Sequence, residues 1–463
     1  MSTTFLSTSI AEQLTAAGAS RVITPDQPDY ATELATFNLA TRHTPAVVVA
    51  ATSTEDVAVA VRVANQLDLG FTVIGQGHGV LDPAVGGIAV TTRGLAGVQV
   101  DEAGRTATVR AGTVWSAVID AATPLGLAPL CGSAPHVGVM GYLLGGGLGP
   151  VARTYGYAAD HVQSFRVVTP DGRLVTADQD HEPDLFWALR GGKGGLGVVV
   201  EATIYLFPLA SVYGGGIYFA AADARAVLRA FSEWTAQVPE NVTSSVALLR
   251  LPPLPELPPP LRGQFVVHVR VAIVGDREEA EALLAPIRSV ATPLIDAVGD
   301  LPYAAIGSIH NDPVNPMPVA EGGVTLRAFG SDTADALLAA AGPDVDVPLV
   351  AVEIRHLGGA LSRQPTVPNA VGGRDAAYGL HVVGAPVPEL LETVIPQVIR
   401  GIFAALGPWR TGGALVNFVG KANDPDSLRN AWPAEIAERL DQVRASYDQQ
   451  GRFPYGNHRA TDH

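Results

Sequence analysis

The stretch Phe71-Thr-Val-Ile-Gly-Gln-Gly-His-Gly79 decides how the chain is read. A short β-favouring run leads straight into a loop in which every second residue is glycine. Glycines at such a place let backbone N–H groups turn inward and cradle an anionic phosphate. The plainer alternative is a tight strand-to-loop turn. Upstream, Ala46-Val-Val-Val-Ala-Ala51 is long enough for a strand only. Thr54-Glu55-Asp56 then caps a helix whose apolar positions Val57, Val61 and Ala64 keep a helical period, and Gly70 ends it. These pieces form a strand–helix–strand unit of the α/β kind. Ile10 to Ala17 reads as a helical lead-in.

Downstream the period becomes β. Gly86 to Ala111 holds three short runs, with turn chemistry at Asp101-Glu-Ala-Gly-Arg105, and a helix follows from Val114 to Thr123. Phe165 to Thr169 and Leu174 to Thr176 flank Pro170-Asp-Gly172 as a hairpin. A last strand runs from Gly197 to Phe207 and closes at Pro208, the first expected domain boundary. Beyond it, long strands (Val266 to Val274, Leu349 to His356) alternate with alanine-rich helices (Ala222 to Thr235, Glu278 to Ser289, Thr333 to Ala341). The proline cluster Leu251 to Pro260 cannot sit inside a sheet and is expected as an exposed connection. The expected domains are 1–208, 209–414, and a terminal segment 415–463 returning to the first.

Two further glycine-rich stretches carry chemistry. Gly138 to Gly156 holds seven glycines in nineteen residues, too many for a helix interior at about 1 kcal/mol each relative to alanine. They suit a backbone that passes close to a large flat ligand. Leu189-Arg-Gly-Gly-Lys-Gly-Gly-Leu-Gly197 again runs into a strand. None is a Walker A loop, and no Gly-x-Gly-x-x-Gly opens a helix, so a nucleotide is expected without either of the two commonest devices.

The 463 residues carry 45 acidic against 30 basic side chains, a net charge of −15. That sign repels nucleic acid and an anionic membrane surface. The single cysteine, Cys131, excludes an intrachain disulfide and a cysteine-based zinc site. No run approaches the roughly 18 apolar residues of a spanning helix, and the N-terminus has no signal-peptide pattern. A cytoplasmic protein, monomeric or dimeric, with no nucleic-acid or membrane partner and no metal is expected.

Taken in order, these segments resemble the FAD-linked oxidases of the vanillyl-alcohol-oxidase and para-cresol-methylhydroxylase superfamily, berberine-bridge-enzyme-like branch. The resemblance rests on Arg42-His-Thr-Pro-Ala46, the 75–79 loop, Gly145-Gly-Gly-Leu-Gly149 and Asp184-Leu-Phe-Trp-Ala-Leu-Arg-Gly-Gly192. Glu353-Ile-Arg-His-Leu-Gly-Gly359, Gly373-Arg-Asp-Ala-Ala-Tyr378 and Tyr447-Asp448 with Phe453 and Asn457 extend it. It implies an α+β fold: a two-subdomain FAD-binding domain of the para-cresol-methylhydroxylase type, plus an antiparallel-sheet substrate domain covered by helices. It implies an oxidase that takes two electrons from an alcohol, amine or biosynthetic intermediate and passes them to O2, giving H2O2. An oxygenating or dehydrogenating flavoenzyme of secondary metabolism is the alternative, and a non-catalytic FAD- or ligand-binding protein is another.

The resemblance also assigns residues. FAD is expected on Val73, Gly75, Gln76, Gly77, Gly79 and Leu81, with one 8α-histidyl link through His78. Gly132, Ser133, Val137, Gly138, Gly141 and Tyr142 follow, then Gly145, Gly146, Gly149 and Tyr155. Gly197, Val199, Asn417, Tyr455 and Asn457 complete the cofactor set. Members with two covalent links place a cysteine where this chain has Ala134, so one link is expected and Cys131 reads as an inert buried thiol. Alternation puts Glu353 and Arg355 on one face of their strand. Glu353 is the expected base, against a structural ion pair with Arg355 or Arg374. Tyr142, Tyr378 and His356 are the other catalytic candidates. The family's tyrosine base is Leu415 here.

Overall fold

A computed structural model describes residues 3–79 and 83–453, without the side chains of residues 3–5 and 425. The call on Leu81 and those on Tyr455 and Asn457 lie outside the described residues. Val47–Ala50, Ile88–Thr91 and Phe71–Ile74 pair in parallel, with Val22–Ile23 added antiparallel at the edge. The crossover helix, Thr54–Gln66, is capped by Ser53 and not by Thr54: Ser53 Oγ accepts from Asp56 N, and the Asp56 carboxylate accepts from Ser53 N. This reciprocal capping satisfies donors that an uncapped first turn leaves open.

Val98–Asp101, Thr106–Arg110, Val198–Tyr205, Val162–Val168 and Leu174–Ala177 form a five-stranded antiparallel sheet in that order. The glycine-dense segment is not all loop. It contains the short helix Val139–Leu144, with Gly138 and Gly145 at its ends and only Gly141 inside.

The third sheet is antiparallel throughout. Its order is Ile295–Asp296, Ser211–Ala220, Phe265–Ile273, Val242–Arg250, Leu349–His356, Tyr378–Gly384, Glu321–Leu326. The proline cluster connects the strands Val242–Arg250 and Phe265–Ile273. One face is apolar: Val267, Val269, Val271, Val352 and Ile354 share a core with helix residues such as Leu228, Phe231, Leu284, Leu337 and Ile399. The opposite parity of the central strands is polar, with Ser245, His268, Arg270, Glu353 and Arg355 all buried or nearly so. Burying a polar face without partners is costly, so those side chains must satisfy one another or meet a ligand. Among the described residues no helix is long and apolar enough to cross a membrane.

Candidate active site

The strand Phe71–Ile74 delivers the 75–79 loop against the chain at 36–38, where Phe37 N donates to Gln76 O (2.9 Å) and Asn38 N donates to Gly77 O (3.2 Å). Gly77 has φ +70°, and a Cβ there would run into Thr36. Only glycine serves both conditions. The loop turns the His78 ring onto Phe37, stacked at 4.1 Å and 14°, with His136 5.0 Å away. Both ring nitrogens of His78 are buried and have no hydrogen-bond partner among the described residues. Burial, with the nearby His136, pushes its pKa down to about 4. His78 is therefore neutral at pH 7, with a ring nitrogen lone pair that no described residue uses.

The glycines of the second stretch face the chain itself. Cβ atoms at Gly147 and Gly132 would strike the Tyr142 ring, one at Gly145 would strike the Asn417 amide, and one at Gly149 would strike Cys131 O. Tyr142 packs edge-on against Trp115 (5.4 Å), its hydroxyl buried and unpartnered, and burial raises its pKa well above 10. A phenol held neutral in this way is a poor proton acceptor. Asn417 Nδ2 donates to Tyr142 O (3.0 Å), and its Oδ1 accepts from Lys193 Nζ. Gly145, Tyr142 and Asn417 thus meet. Other assigned residues stand elsewhere: Val73 is 40% exposed, Tyr155 packs on Phe207, and Val199 lies buried in the five-stranded sheet. Ser133 Oγ donates to Asp312 Oδ2 (2.7 Å).

On the polar face of the large sheet, register builds two rows. Arg270, Ser245 and Arg355 are cross-strand neighbours in one; His268, Ala247, Glu353 and His381 in the next. The small Ala247 leaves room for Glu353 to reach sideways. Its Oε1 accepts from Arg270 Nη1 (2.7 Å) and Ser245 Oγ (2.7 Å), and its Oε2 from Arg355 Nε (2.8 Å). Burial alone would raise the Glu353 pKa, but the Arg355 and Arg270 guanidiniums hold it well below the usual carboxylate range. As the expected base, Glu353 is therefore ionised but weakly basic. The Arg355 pairing is present; Arg374 instead pairs with Asp160 (2.5 Å).

His310, absent from the sequence reading, lies with its Nε2 3.5 Å from Glu353 Oε1, and its Nδ1 has no partner. Burial lowers its pKa against the pull of Glu353, leaving a neutral ring. His356 accepts a hydrogen bond on Nε2 from Arg153 Nη1 (2.8 Å), which puts its own proton on Nδ1. Its pKa is pushed down to about 3 by burial and Arg153. Tyr378 turns to the helix layer, bonded to Thr235 Oγ1 (2.9 Å). A narrow cleft opens between Leu148-Gly149 and the sheet, lined by Ser245, Arg270, His310, Arg355 and His356. A second, sharing Leu148, is lined by Gly145, Asn417, Leu415 and Phe418. Cys131 is buried beside Tyr303, and burial pushes its thiol up to about 11.

The family described as "FAD binding domain" matches residues 45–178, the segment that carries His78 and the first glycine-rich helix. The chain thus carries an FAD binding domain, and over most of its length it is similar to FAD-linked oxidoreductases. It is 29% identical over 253 residues to the FAD-linked oxidoreductase azaG of Aspergillus niger, a match that spans 53% of this chain and 52% of that protein. To the FAD-linked oxidoreductase YgaK of Bacillus subtilis it is 24% identical over 94% of this chain and 95% of the other. Among solved structures it is similar to 6-hydroxy-D-nicotine oxidase from Arthrobacter nicotinovorans (TM-score 0.82, 23% identity, 94% and 96% of the two chains). It is also similar to glucooligosaccharide oxidase from Acremonium strictum, described with a 6-S-cysteinyl, 8α-N1-histidyl FAD (TM-score 0.81, 21% identity, 97% and 98%). The two free nitrogens of His78 fit an FAD attached there.

Proposed function

We propose that the chain is an oxidase that holds FAD through a single covalent link at His78 and passes two electrons from an alcohol or amine to O2, releasing H2O2. The observation that carries this reading is the half-buried, neutral His78, whose two buried ring nitrogens have no partner among the described residues, in the loop after a strand within the FAD binding domain. The histidyl link of glucooligosaccharide oxidase supports it by analogy. When bound, FAD supplies the electron acceptor. The chain supplies the rest. Ala134 offers no sulfur at the second attachment position, and the thiol of Cys131 stays protonated at neutral pH. Cys131→Ser should leave the absorption spectrum and the covalent flavin content unchanged; loss of a link in that variant, read by mass spectrometry, would overturn the single attachment.

For proton removal, His310 Nδ1 is the acceptor in this proposal. The charged Glu353 fixes the proton on Nε2 and steadies the imidazolium that forms. This division suits the geometry better than a free carboxylate base, because Glu353 gives up two guanidinium contacts if it takes the proton itself. His310→Gln should slow anaerobic flavin reduction by about 10²–10⁴-fold while flavin content stays normal. A change below about threefold would remove His310 from the chemistry. The reading as a whole is tested by mixing the yellow protein with candidate alcohols and amines: bleaching without air, recovery in air and one peroxide per turnover are expected.

A further inference from the structure

The cleft on the polar sheet face has an electrostatic character that the oxidase reading does not use. Arg270 spends Nη1 on Glu353 and Nε on His268 Nδ1 (3.1 Å), and Arg355 spends Nε and Nη2 on Glu353 (both 2.8 Å). Among the described residues Arg270 Nη2 and Arg355 Nη1 have no acceptor. Both guanidiniums line the cleft, their side chains only 7% and 14% exposed. Arg153 stands behind His356, bonded to it and facing Glu240, while Glu353 and Asp312 are the carboxylates that act on Arg270. Of the residues that line the cleft, two are arginines and none is a carboxylate. His310, His356 and His268 are neutral at pH 7 and do not alter the balance. The Arg355 guanidinium also lies 4.8 Å over the Phe418 ring, which holds its plane and sets an apolar surface beside its free donors.

We propose that this cleft recognises a substrate carrying a carboxylate on an apolar body, the carboxylate taking the free Nη donors of Arg355 and Arg270. A buried guanidinium N–H left without an acceptor is costly, and the two oxygens of a carboxylate match the fork of donors that the two arginines together leave open. The proposal rests on the oxidase reading for the fate of the substrate, but not for its binding. A neutral sugar or a cationic amine satisfies neither the surplus charge nor the fork.

Benzoate, benzamide and cellobiose serve as probes against the yellow holoenzyme at fixed ionic strength, read by calorimetry and by the flavin absorbance. Saturable benzoate binding is expected, with benzamide and cellobiose at least about tenfold weaker. Arg355→Gln should weaken benzoate roughly 10- to 100-fold. Arg355→Lys keeps a charge opposite Glu353 and so protects folding, but lacks the fork; it should lose about tenfold. Equal binding of benzoate and benzamide, tighter cellobiose, no benzoate binding, or unchanged benzoate affinity in whichever variant folds would each overturn the proposal. Calorimetry reads the anion with or without flavin. A colourless preparation therefore counts against the oxidase reading, whereas a yellow one that ignores benzoate counts against the carboxylate alone.

Discussion

His78→Ala is expected to yield protein whose acid-precipitated pellet is white, where the unaltered protein gives a yellow one. Removing the imidazole deletes the one histidine of the 75–79 loop and two buried nitrogens that no described residue uses. Phe37 loses its stacking partner, a contact worth about 0.5–1.5 kcal/mol, so the fold should survive. FAD should then bind reversibly, with a lower potential and slower substrate oxidation, since the protein tunes the flavin through what it attaches to it. Absorbance of the pellet and supernatant, with circular dichroism as a folding control, reads the outcome. Covalent flavin retained by this variant would move the attachment to another residue.

Glu353→Gln should be the most destabilising single change in the sheet. It leaves Arg270 and Arg355 buried around a neutral amide, and breaking a buried pair from one side costs about 3–5 kcal/mol. It also frees the orientation of His310, so flavin reduction should slow by about 10²-fold or more in whatever fraction folds. The pH dependence separates this from loss of packing. The Glu353 pKa lies well below the 4.5 of an unperturbed glutamate. Its contribution is therefore present above pH 4.5 and is lost as pH falls through the folded value. The buried, neutral His356, with a pKa near 3 against 6.5 unfolded, begins to destabilise the protein earlier, below about 6.5. Denaturant titrations at several pH values should show the variant missing the steepest, most acid part of the loss. An unchanged stability at neutral pH would mean the ion pairs carry no net weight.

Much of this was legible in residue order. The strand Leu349–His356 falls where its β-branched run places it, and alternation does put Glu353 and Arg355 on one face. The cap was misplaced by one residue because Ser53 and Thr54 are both capping types, and only the reciprocal bonds with Asp56 separate them. The helix Val139–Leu144 was missed because glycine propensity was counted across the whole stretch. Two of its glycines sit at the ends, where they cost little, and Val139, Met140 and Leu143 bury the interior. The glycines of this stretch also admit Tyr142, five to ten positions away, and Asn417, which meets Gly145 across 272 positions and leaves no local trace. Arg270 and Ser245 reach Glu353 through strand pairing across 83 and 108 positions. One signal was available: His268 and Arg270 interrupt Phe265-Val-Val-His-Val-Arg-Val-Ala-Ile273 at period two, which marks a polar face on a buried strand. His310 sits beyond a 3-10 turn and carries no such pattern.

The central claim is that this chain carries its flavin at His78. Trypsin should release Val63 to Arg93 as one peptide, in which His78 is the single histidine. Mass spectrometry of the peptides from yellow, acid-washed protein tests the claim most directly. The account predicts that this peptide carries one FAD, with fragmentation placing it on His78, and that the peptide containing Cys131 is unmodified. An unmodified 63–93 peptide from protein that remains yellow after acid washing would contradict it.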